Sequence, residues 1–501
     1  MIDISNTKHW LIEQAEKFNS SPAVLINNST INYSELCESV SNLALHFVSK
    51  GIIENDNIAV LCGNNIEFVK TVNALWLIGA VPVPINTRNN FDEIGFQLKH
   101  ANIKFLLIEK SLAEKFSQIS FEKKIIINRV EQSTDKFHSS TQNSKLETRN
   151  SFHSTFYTRH SALILFTSGS SGKPKAVVHT FSSLYESVLL TDDLCKLNTK
   201  DVWLASLPLY HIGGFMIFVR ALLSGAALAF PGSLNYENIS TALQKYNPTY
   251  VSIVSTTLKQ FLDNRINPNE NLKHLFLGGG PLDEELCSSA IAKGFPIVKV
   301  YGSTETCSMI SALYTEDFEN KPNSAGKPLG KTKIKILDKN NRELTGRVGE
   351  IIVQSKSLFK GYYNDDEETK KKFVNGFYCT GDLGSIDNEG FLFVQSRKTE
   401  IIISGGENIS TKEVEDAIKS CESVIDAFVF GIEDETWGEA VYAVAASNKN
   451  INERIILEHL RNKIASYKIP KKIFLLEKIP HTDLGKVKKE ELLKLLNLNV
   501  H

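Results

Sequence analysis

Short apolar runs alternate with amphipathic segments along most of the chain. From residue 58, IAVLCG has the continuous apolar character of a buried strand, and the following segment, opened by asparagine, has the spacing of a helix. The alternation continues through VPVPI, KFLLIE, KKIIINRV, ALILFT, DVWLASLP, AALAFPG, TYVSIVS, LKHLFLGGG and PIVKVYG. The pattern predicts mostly parallel sheets covered by helices, in which ligands bind at the carboxyl ends of the strands.

The pattern changes in two regions. Residues 131–160 are rich in Ser, Thr and Asn, which predicts a surface loop; a functional lid is the alternative. After residue 345, GEIIVQS, FYCTGDLGSID and GFLFVQS indicate antiparallel strands, with a hairpin at IDNEGFLF. Two helices, TKEVEDAIKS and ERIILEHLRNKIA, then indicate a smaller α/β unit. We place the boundary near 396–400, between domains 1–396 and 397–501.

Composition narrows the class of protein. A chain of 501 residues is too long for one compact core, and 42% hydrophobic with 23% charged residues is ordinary globular composition. Lys and Arg number 56 against 57 Asp and Glu, so no general basic excess is present to bind nucleic acid. The seven cysteines are scattered and form no CxxC pair, which argues against disulfides and zinc and favours a reducing cytoplasm.

Neither a targeting segment nor a membrane anchor is expected. The N-terminal MIDISNTKHWLIEQAEKF has early acids and lacks the apolar core of a signal peptide. The longest apolar stretch, 72–85, is interrupted by Gly79, Pro82 and Pro84 and is too short to span a bilayer.

The strand ALILFT leads into the hydroxyl- and glycine-rich stretch TSGSSGKPK. Backbone N–H groups in such a loop, with two lysines nearby, suit a phosphate chain. Pro174 follows Lys173 where a Walker A loop has Ser or Thr, so a P-loop NTPase is disfavoured. Taken alone, the stretch also fits a plain surface loop.

Three later motifs add candidate chemistry. PIVKVYG leads into Thr304 and Glu305, and a hydroxyl beside a carboxylate suits a phosphate with its Mg²⁺. Asp382, in YCTGD, has the position to accept hydrogen bonds from a ribose, although Gly-Asp also suits a turn. Lys486, in TDLGK, is the third candidate; the alternative is a solvated lysine within a charge run.

Together these motifs resemble those of the adenylate-forming superfamily, which includes acyl- and aryl-CoA synthetases, firefly luciferase and peptide-synthetase adenylation domains. The resemblance runs from about residue 20 to the C-terminus and rests on six motifs in the family's order: FTSGSSGKPKAV, LPLYHIGG, YGSTE, YCTGDLG, SRKTEIIISGGENIS and TDLGKVKKEEL. It implies an α/β fold, with a large N-terminal domain of stacked, mostly parallel sheets and helices plus a small β-barrel-like part, and a small, mobile α+β C-terminal domain.

The resemblance also implies a two-step reaction. A carboxylate attacks the α-phosphorus of ATP, giving an acyl-adenylate and pyrophosphate, and coenzyme A then displaces AMP. The catalytic set implied is Lys486, His211 and Glu305, with Glu305 and Thr167 at the Mg²⁺. The nucleotide and CoA set is Thr167, Ser168, Gly169, Lys173, Gly278, Gly279, Tyr301, Gly302, Thr304, Asp382, Arg397, Gly405 and Gly406.

The C-terminal domain is expected to rotate between the two steps. Lys486 would serve the first step, and the glycines of the 404–409 loop would let the pantetheine arm pass in the second. Many relatives carry Gly-Arg and then an acid at the hinge. This chain has Ser396-Arg397 and then Thr399, so a pivot at Thr399 or at Glu400 is left open.

The acid pocket is expected around LPLYHIGG, LGGGP and residues 301–303, with His211, Arg220 and Ser303 as substrate contacts. The LPLYHIGG segment lacks the Asp that binds an ammonium group in amino-acid-activating relatives. Arg220 is a lone cation in an apolar segment, so it pairs either with an internal acid or with a second substrate carboxylate. The order His211 then Arg220, together with the motifs NTR, LGGGP and SGGENI, resembles the o-succinylbenzoate–CoA ligases of menaquinone biosynthesis.

Two alternatives remain open. Besides an o-succinylbenzoate–CoA ligase, the chain could be a CoA ligase for another acid, of the medium-chain fatty acid or benzoate type, or a ligase-like binding subunit without catalysis. The expected partners are a small carboxylic acid, ATP and CoA, without nucleic acid or stable membrane insertion. Dimers are frequent in the family, but no self-complementary patch is visible here.

Overall fold

The computed structural model describes residues 9–89, 91–127, 160–167, 174–279, 284–397, 401–404, 407–434, 438–447, 451–461, 463–464, 466–482 and 486–496. Within them the chain packs as two compact units. The larger unit comprises residues 1–333 and 354–378, and the smaller comprises 334–353 and 379–501. The predicted loop at 131–160 lies outside the described residues except for His160.

The helices, numbered along the chain, are α1 (Trp10–Lys17), α2 (Tyr33–Ser49), α3 (Ile66–Ile78), α4 (Phe91–His100), α5 (Lys110–Ala113), α6 (Phe181–Leu190), α7 (Asp192–Cys195), α8 (Ile212–Ser224), α9 (Tyr236–Tyr246), α10 (Ser255–Asp263), α11 (Glu284–Ala292), α12 (Thr315–Phe318), α13 (Asp366–Lys371), α14 (Thr411–Lys419), α15 (Glu453–Arg461) and α16 (Lys489–Leu495), with a 3-10 turn at Ser466–Lys468. In the part of the chain that the structure describes, none of them combines the length and apolar character needed to cross a membrane.

The first fifteen strands along the chain, all in the larger unit, are β1 (Pro22–Ile26), β2 (Ser29–Asn32), β3 (Asn57–Leu61), β4 (Val81–Pro84), β5 (Phe105–Glu109), β6 (Lys124–Ile127), β7 (Ser161–Thr167), β8 (Lys175–Thr180), β9 (Val202–Leu204), β10 (Ala227–Ala229), β11 (Tyr250–Ile253), β12 (His274–Leu277), β13 (Ile297–Ser303), β14 (Ser308–Leu313) and β15 (Lys327–Pro328). The remaining strands are β16 (Lys333–Leu337), β17 (Gly349–Gln354), β18 (Gly361–Tyr362), β19 (Phe373–Val374), β20 (Phe377–Ile386), β21 (Leu392–Arg397), β22 (Ile401–Ser404), β23 (Glu407–Ser410), β24 (Val424–Asp434), β25 (Gly438–Ser447) and β26 (Lys472–Leu476).

Two sheets of the larger unit confirm the predicted α/β pattern. A nine-stranded sheet has the order β15-β14-β13-β12-β11-β9-β10-β1-β2 and is parallel from β13 to β1. A four-stranded sheet, β4-β3-β5-β6, is parallel throughout. All residues of β3 and β5 are buried, as expected for strands covered on both faces.

A third sheet of the larger unit is antiparallel. It has the order β18-β8-β7, and β7 pairs with β8 so that Thr167 lies opposite Lys175. The segment ALILFT is therefore a strand, as predicted, but it lies in this antiparallel sheet and not in a parallel one. β8 runs straight back from the hydroxyl-rich stretch, leaving no room for the crossover helix that parallel pairing requires.

The smaller unit holds two further sheets. The strands β16, β17, β20 and β21 form the small β-rich part that the fold class predicted, and the predicted hairpin at IDNEGFLF joins β20 to β21. The order β23-β22-β25-β24, with β26 beside β25, defines the last sheet. Side chains alternate across it, with Val429 and Ala443 facing one apolar cluster and Phe430 and Val444 facing another. The proposed domain boundary at 396–397 stays a prediction.

Candidate nucleotide and acid site

The β7–β8 hairpin carries the candidate phosphate stretch. Thr167 ends β7 and is half-buried, while Ser168, Gly169 and Lys173 lie outside the described residues. Opposite Thr167, the Lys175 ammonium group lies 2.5 Å from a carboxylate oxygen of Glu368 and 5.0 Å from the centre of the Tyr362 ring. The second lysine of the motif is thus already paired within the protein.

The segment after β13 folds into a tight, internally bonded turn. The N–H of Ser303 donates to the hydroxyl of Thr306 over 2.7 Å, and Cys307 and Ser308 have φ of 59° and 80°. A Cβ atom on Gly302 would lie 1.9 Å from the carbonyl oxygen of Ser308, so only glycine fits there. This backbone places Thr304 and Glu305 at the carboxyl end of the strand.

Two groups from elsewhere fix the backbone of this turn. Nε2 of His179, on β8, lies 2.8 Å from the carbonyl oxygen of Thr304, and the N–H of Phe359 donates to the carbonyl oxygen of Glu305 over 2.8 Å. Burial lowers the pKa of His179 to about 4, so the ring is neutral at pH 7. Because a carbonyl only accepts, Nε2 carries the proton. The β7–β8 hairpin and the Thr304–Glu305 turn are therefore joined.

The Glu305 carboxylate is oriented by a tyrosine. The hydroxyl of Tyr362 donates to Oε1 of Glu305 over 3.0 Å. Burial, and then the charge of Glu305, raise the pKa of the Tyr362 phenol, so it stays a donor at neutral pH. No other described side chain donates to Glu305. One oriented carboxylate with an open oxygen fits Mg²⁺, which takes one or two carboxylates together with phosphate oxygens.

Glycines after β12 allow the close packing of the neighbouring strand. A Cβ atom on Gly278 would lie 2.8 Å from Cγ2 of Val300 and 3.0 Å from its carbonyl oxygen, and Gly279 has φ of 89°. These contacts explain both glycines by backbone geometry, and their predicted role at the nucleotide stays a prediction. Tyr301 and Ser303 are half-buried on β13.

His211 occupies the start of α8. It is the N-cap residue, half-buried, and its ring centre lies 4.8 Å from that of Tyr210. The first turn of the helix rests on the preceding loop, since a Cβ atom on Gly214 would lie 2.1 Å from the carbonyl oxygen of Pro208. His211 thus stands on a well-defined helix terminus.

Arg220, on the same helix, is fully buried. Its Nε donates to the hydroxyl of Thr191 over 3.1 Å and its Nη2 to the hydroxyl of Ser187 over 3.4 Å. Nη1 has no hydrogen-bond partner among the described residues, and burial lowers the pKa of the guanidinium. The guanidinium carbon lies 5.8 Å from the ring centre of Trp203. Within the described part of the chain, its hydrogen bonds go to hydroxyl groups and not to an acid.

In the smaller unit, the structure brings Asp382 and Arg397 together. They face each other in the β20–β21 pairing, and the N–H of Asp382 donates to the hydroxyl of Thr380 over 3.0 Å. Asp382 is only 8% exposed. The register places the two backbones opposite each other, and the expected support of Asp382 by Arg397 stays a prediction.

The remaining predicted residues are described only in part. Ser404 pairs with Glu407 across β22 and β23, while Gly405, Gly406, Thr399 and Glu400 lie outside the described residues. Lys486 is exposed, and its backbone is held to Thr482, whose N–H donates to the Lys486 carbonyl oxygen over 2.6 Å. The lysine therefore projects from a fixed backbone.

Sequence reasoning missed His179, Tyr362 and Tyr378. Burial, and next the charge of Glu305, raise the pKa of Tyr378, which packs with Tyr362 around Phe359. Two signals were available: a histidine inside the apolar run KAVVHT and the aromatic-rich stretch FKGYY.

These features define an α/β protein in which the antiparallel β7–β8 hairpin is joined to the Thr304–Glu305 turn. The family described as "AMP-binding enzyme" matches residues 11–363, and "AMP-binding enzyme C-terminal domain" matches 413–486. The chain belongs to the AMP-binding enzyme family.

Among its relatives, the 2-succinylbenzoate–CoA ligase of Bacillus subtilis (strain 168) is 31% identical over 495 residues, covering 98% of each chain. The o-succinylbenzoate CoA synthetase (MenE) from Bacillus subtilis, solved with the acyl-adenylate intermediate OSB-AMP, is similar with a TM-score of 0.86 at 30% identity over 97% of each chain. The same enzyme solved with ATP and a magnesium ion gives a TM-score of 0.85 at 30% identity, over 97% of this chain and 99% of that one.

Proposed function

We propose that this chain is an AMP-forming ligase that joins 2-succinylbenzoate to coenzyme A through an acyl-adenylate. The observation that carries the proposal is the Thr304–Glu305 turn, held by His179 and Tyr362 beside the β7–β8 hairpin. The names and bound ligands of the relatives support the same reaction. A cytoplasmic location and a homodimer remain predictions.

The nucleotide contacts belong to the proposal. Thr304 faces the α-phosphate and Glu305 holds Mg²⁺, with Thr167 as a second metal contact and Ser168, Gly169 and Lys173 at the outer phosphates. Bound Mg²⁺ neutralises phosphate charge, the main requirement of phosphoryl chemistry. Tyr362 orients the Glu305 carboxylate, and His179 fixes the Thr304 backbone.

The smaller unit supplies the remaining groups. We assign Asp382 and Arg397 to the ribose, Lys486 to the carboxylate and α-phosphate in the first step, and Gly405 and Gly406 to the passage of the CoA arm. The change between the two steps is a rotation about residues 397–400.

The direct test is pyrophosphate release with ATP, Mg²⁺ and a panel of acids, followed by mass detection of the CoA thioester. The panel holds 2-succinylbenzoate, benzoate, octanoate and an amino acid. We expect strong preference for 2-succinylbenzoate. Preference for a monocarboxylate would overturn the substrate assignment. A folded protein that binds ATP but turns over no acid would overturn the proposal that the chain is an enzyme.

Lys486 is tested in the same assay against a neighbour. Lys486→Ala is expected to lose pyrophosphate release while still converting supplied acyl-adenylate to thioester. Lys488, an exposed lysine of the same segment that lies 3.3 Å from Glu491, provides the matched control Lys488→Ala. Equal losses of pyrophosphate release in both variants would show that Lys486 is an ordinary solvated lysine without a specific role in the first step.

Arg220 decides between two substrate classes. If it meets the second carboxylate of the substrate, Arg220→Met raises KM for 2-succinylbenzoate and leaves KM unchanged for 4-oxo-4-phenylbutanoate, which lacks that carboxylate. If its bonds to Thr191 and Ser187 are its whole role, both acids are affected alike. The second result favours the other candidate, a ligase for a monocarboxylic acid.

A further inference from the structure

The loop after β3 is tied to the end of β5 by one buried carboxylate. Oε2 of Glu109, a residue that is 1% exposed, accepts from the N–H of Gly63 over 2.8 Å and from Nδ2 of Asn65 over 2.9 Å. Its Oε1 accepts from the hydroxyl of Ser111 over 2.6 Å. Burial raises the pKa of Glu109, but these hydrogen bonds more than offset it and leave the pKa below its usual value. The carboxylate is therefore ionised at neutral pH and holds residues 63–65.

Asn64, inside this loop, reaches a different sheet. Its Oδ1 accepts from the N–H of Leu209 over 2.9 Å, and its Nδ2 donates to the carbonyl oxygen of Ala205 over 2.8 Å. One side-chain amide thus bonds both ends of the loop 205–209, which follows β9 of the nine-stranded sheet. Ala205 and Leu209 are buried, so these backbone groups have little access to replacement water.

The loop 205–209 in turn fixes His211. The carbonyl oxygen of Pro208 accepts from the N–H of His211 over 3.1 Å and sits against Gly214, as described above. On its other side, the hydroxyl of Ser206 donates to the carbonyl oxygen of Ser252 on β11 over 2.6 Å. The loop 205–209 is thus bonded to β11 through Ser206. Asn64 bonds the same loop to the segment that follows β3 of the four-stranded sheet.

We infer that Asn64 is a positioning residue for the acid site, because it holds the loop 205–209 and thereby sets the place of His211, while Glu109 holds the loop that carries Asn64. The inference rests on the proposed function for the part that concerns the acid. It predicts an effect on the acid and not on the nucleotide, since the Thr304–Glu305 turn is held by separate contacts.

The kinetic arm uses the full chain and three variants. Asn64→Ala is expected to raise KM for 2-succinylbenzoate at least tenfold and to change KM for ATP less than twofold. Asn64→Asp keeps an acceptor for Leu209 but places a carboxylate oxygen against the buried Ala205 carbonyl oxygen, so its acid KM should rise at least as much as that of Asn64→Ala. The matched control is Asn57→Ala, which removes the bond from Asn57 Nδ2 to the Ala101 carbonyl oxygen (2.7 Å) at the opposite end of β3 and should leave both KM values within twofold.

A second arm does not depend on activity. Hydrogen exchange of peptides containing Leu209 is expected to be at least tenfold faster in Asn64→Ala than in wild type, and unchanged in Asn57→Ala. Unchanged exchange in Asn64→Ala overturns the inference. Faster exchange with an unaltered acid KM, or with equal changes for acid and ATP, also overturns it. A wild-type protein inactive with every acid refutes the proposed function, and the exchange arm still decides whether Asn64 holds the loop.

Discussion

At the scale of single residues, the hydroxyl of Tyr362 is the contact that sets the direction of the Glu305 carboxylate. Hydrogen bonds to charged groups contribute about 1.5–3 kcal/mol. Tyr362→Phe is therefore expected to lower the free energy of unfolding by at most about 1.5–3 kcal/mol. Because the Glu305 carboxylate loses its orientation, kcat/KM for ATP should fall about ten- to hundredfold. Steady-state kinetics at varied ATP and Mg²⁺ measure this. Tyr363→Phe, the adjacent tyrosine, is the control, and equal losses in the two variants would contradict the role of Tyr362.

His179 gives a pH dependence of stability whose sign follows from its burial. The pKa of His179 is about 4 in the folded protein and about 6.5 in an unfolded chain. Between these values the unfolded state binds more protons, so the free energy of unfolding falls as pH is lowered from about 6.5 to 4. His179→Gln removes the part of this pH dependence that comes from His179. The urea midpoint of the variant should therefore fall less than that of wild type between pH 7 and 5. A slope equal to that of wild type would contradict the assignment.

The residues that sequence reasoning found and missed differ in one respect. Thr304, Glu305 and Asp382 lie in short motifs whose chemistry can be recognised within a few positions. His179 and Tyr362 act through partners 125 and 57 residues away along the chain. Local signals can point to such a residue, but its distant partner is set by the packing of strands in three dimensions, which no local pattern encodes.

At the scale of elements, two adjacent glycines in the first turn of α8 differ in the space that is available for a Cβ atom. Gly214 faces the Pro208 carbonyl oxygen, whereas a Cβ atom on Gly213 would meet only Cδ1 of Leu207, at 3.4 Å. Gly214→Ala should destabilise the protein by roughly 1–3 kcal/mol through overpacking. Gly213→Ala should stay within about 1 kcal/mol of wild type, since alanine favours a helix. Thermal unfolding of both variants measures the difference, and equal values would refute this packing.

The elements themselves were mostly predictable, with errors that have physical causes. Buried parallel strands such as β3 and β5 have long apolar runs, and the β20–β21 hairpin has a local turn signal. The antiparallel pairing of β7 was not predictable, because the stretch TSGSSGKPK after β7 indicates phosphate chemistry and not a hairpin connection to β8. The predicted helix ERIILEHLRNKIA is α15 over its described part, Glu453–Arg461.

At the scale of the whole molecule, each compact unit has its own apolar clusters, which predicts more than one unfolding transition. Three of the four tryptophans, Trp10, Trp76 and Trp203, lie in the larger unit. Leu460→Ala, in the core of the smaller unit, should lower the free energy of unfolding of that unit by about 2–5 kcal/mol. It should shift a transition seen by circular dichroism and leave the midpoint of the tryptophan emission change where it is. Leu184→Ala, in the larger unit, should shift the emission. Equal shifts of both signals in both variants would show a single transition.

The path of the chain between the two units has a consequence for synthesis. The larger unit is interrupted after residue 333 and resumes only at 354–378, and that returning segment brings Phe359 and Tyr362 to Glu305. A nascent chain on the ribosome therefore contains His179 and the Thr304–Glu305 turn well before Phe359 and Tyr362, the two later residues that hold it. The Glu305 carboxylate, which we propose as the Mg²⁺ ligand, acquires its orientation only after the first strands of the smaller unit have left the exit tunnel.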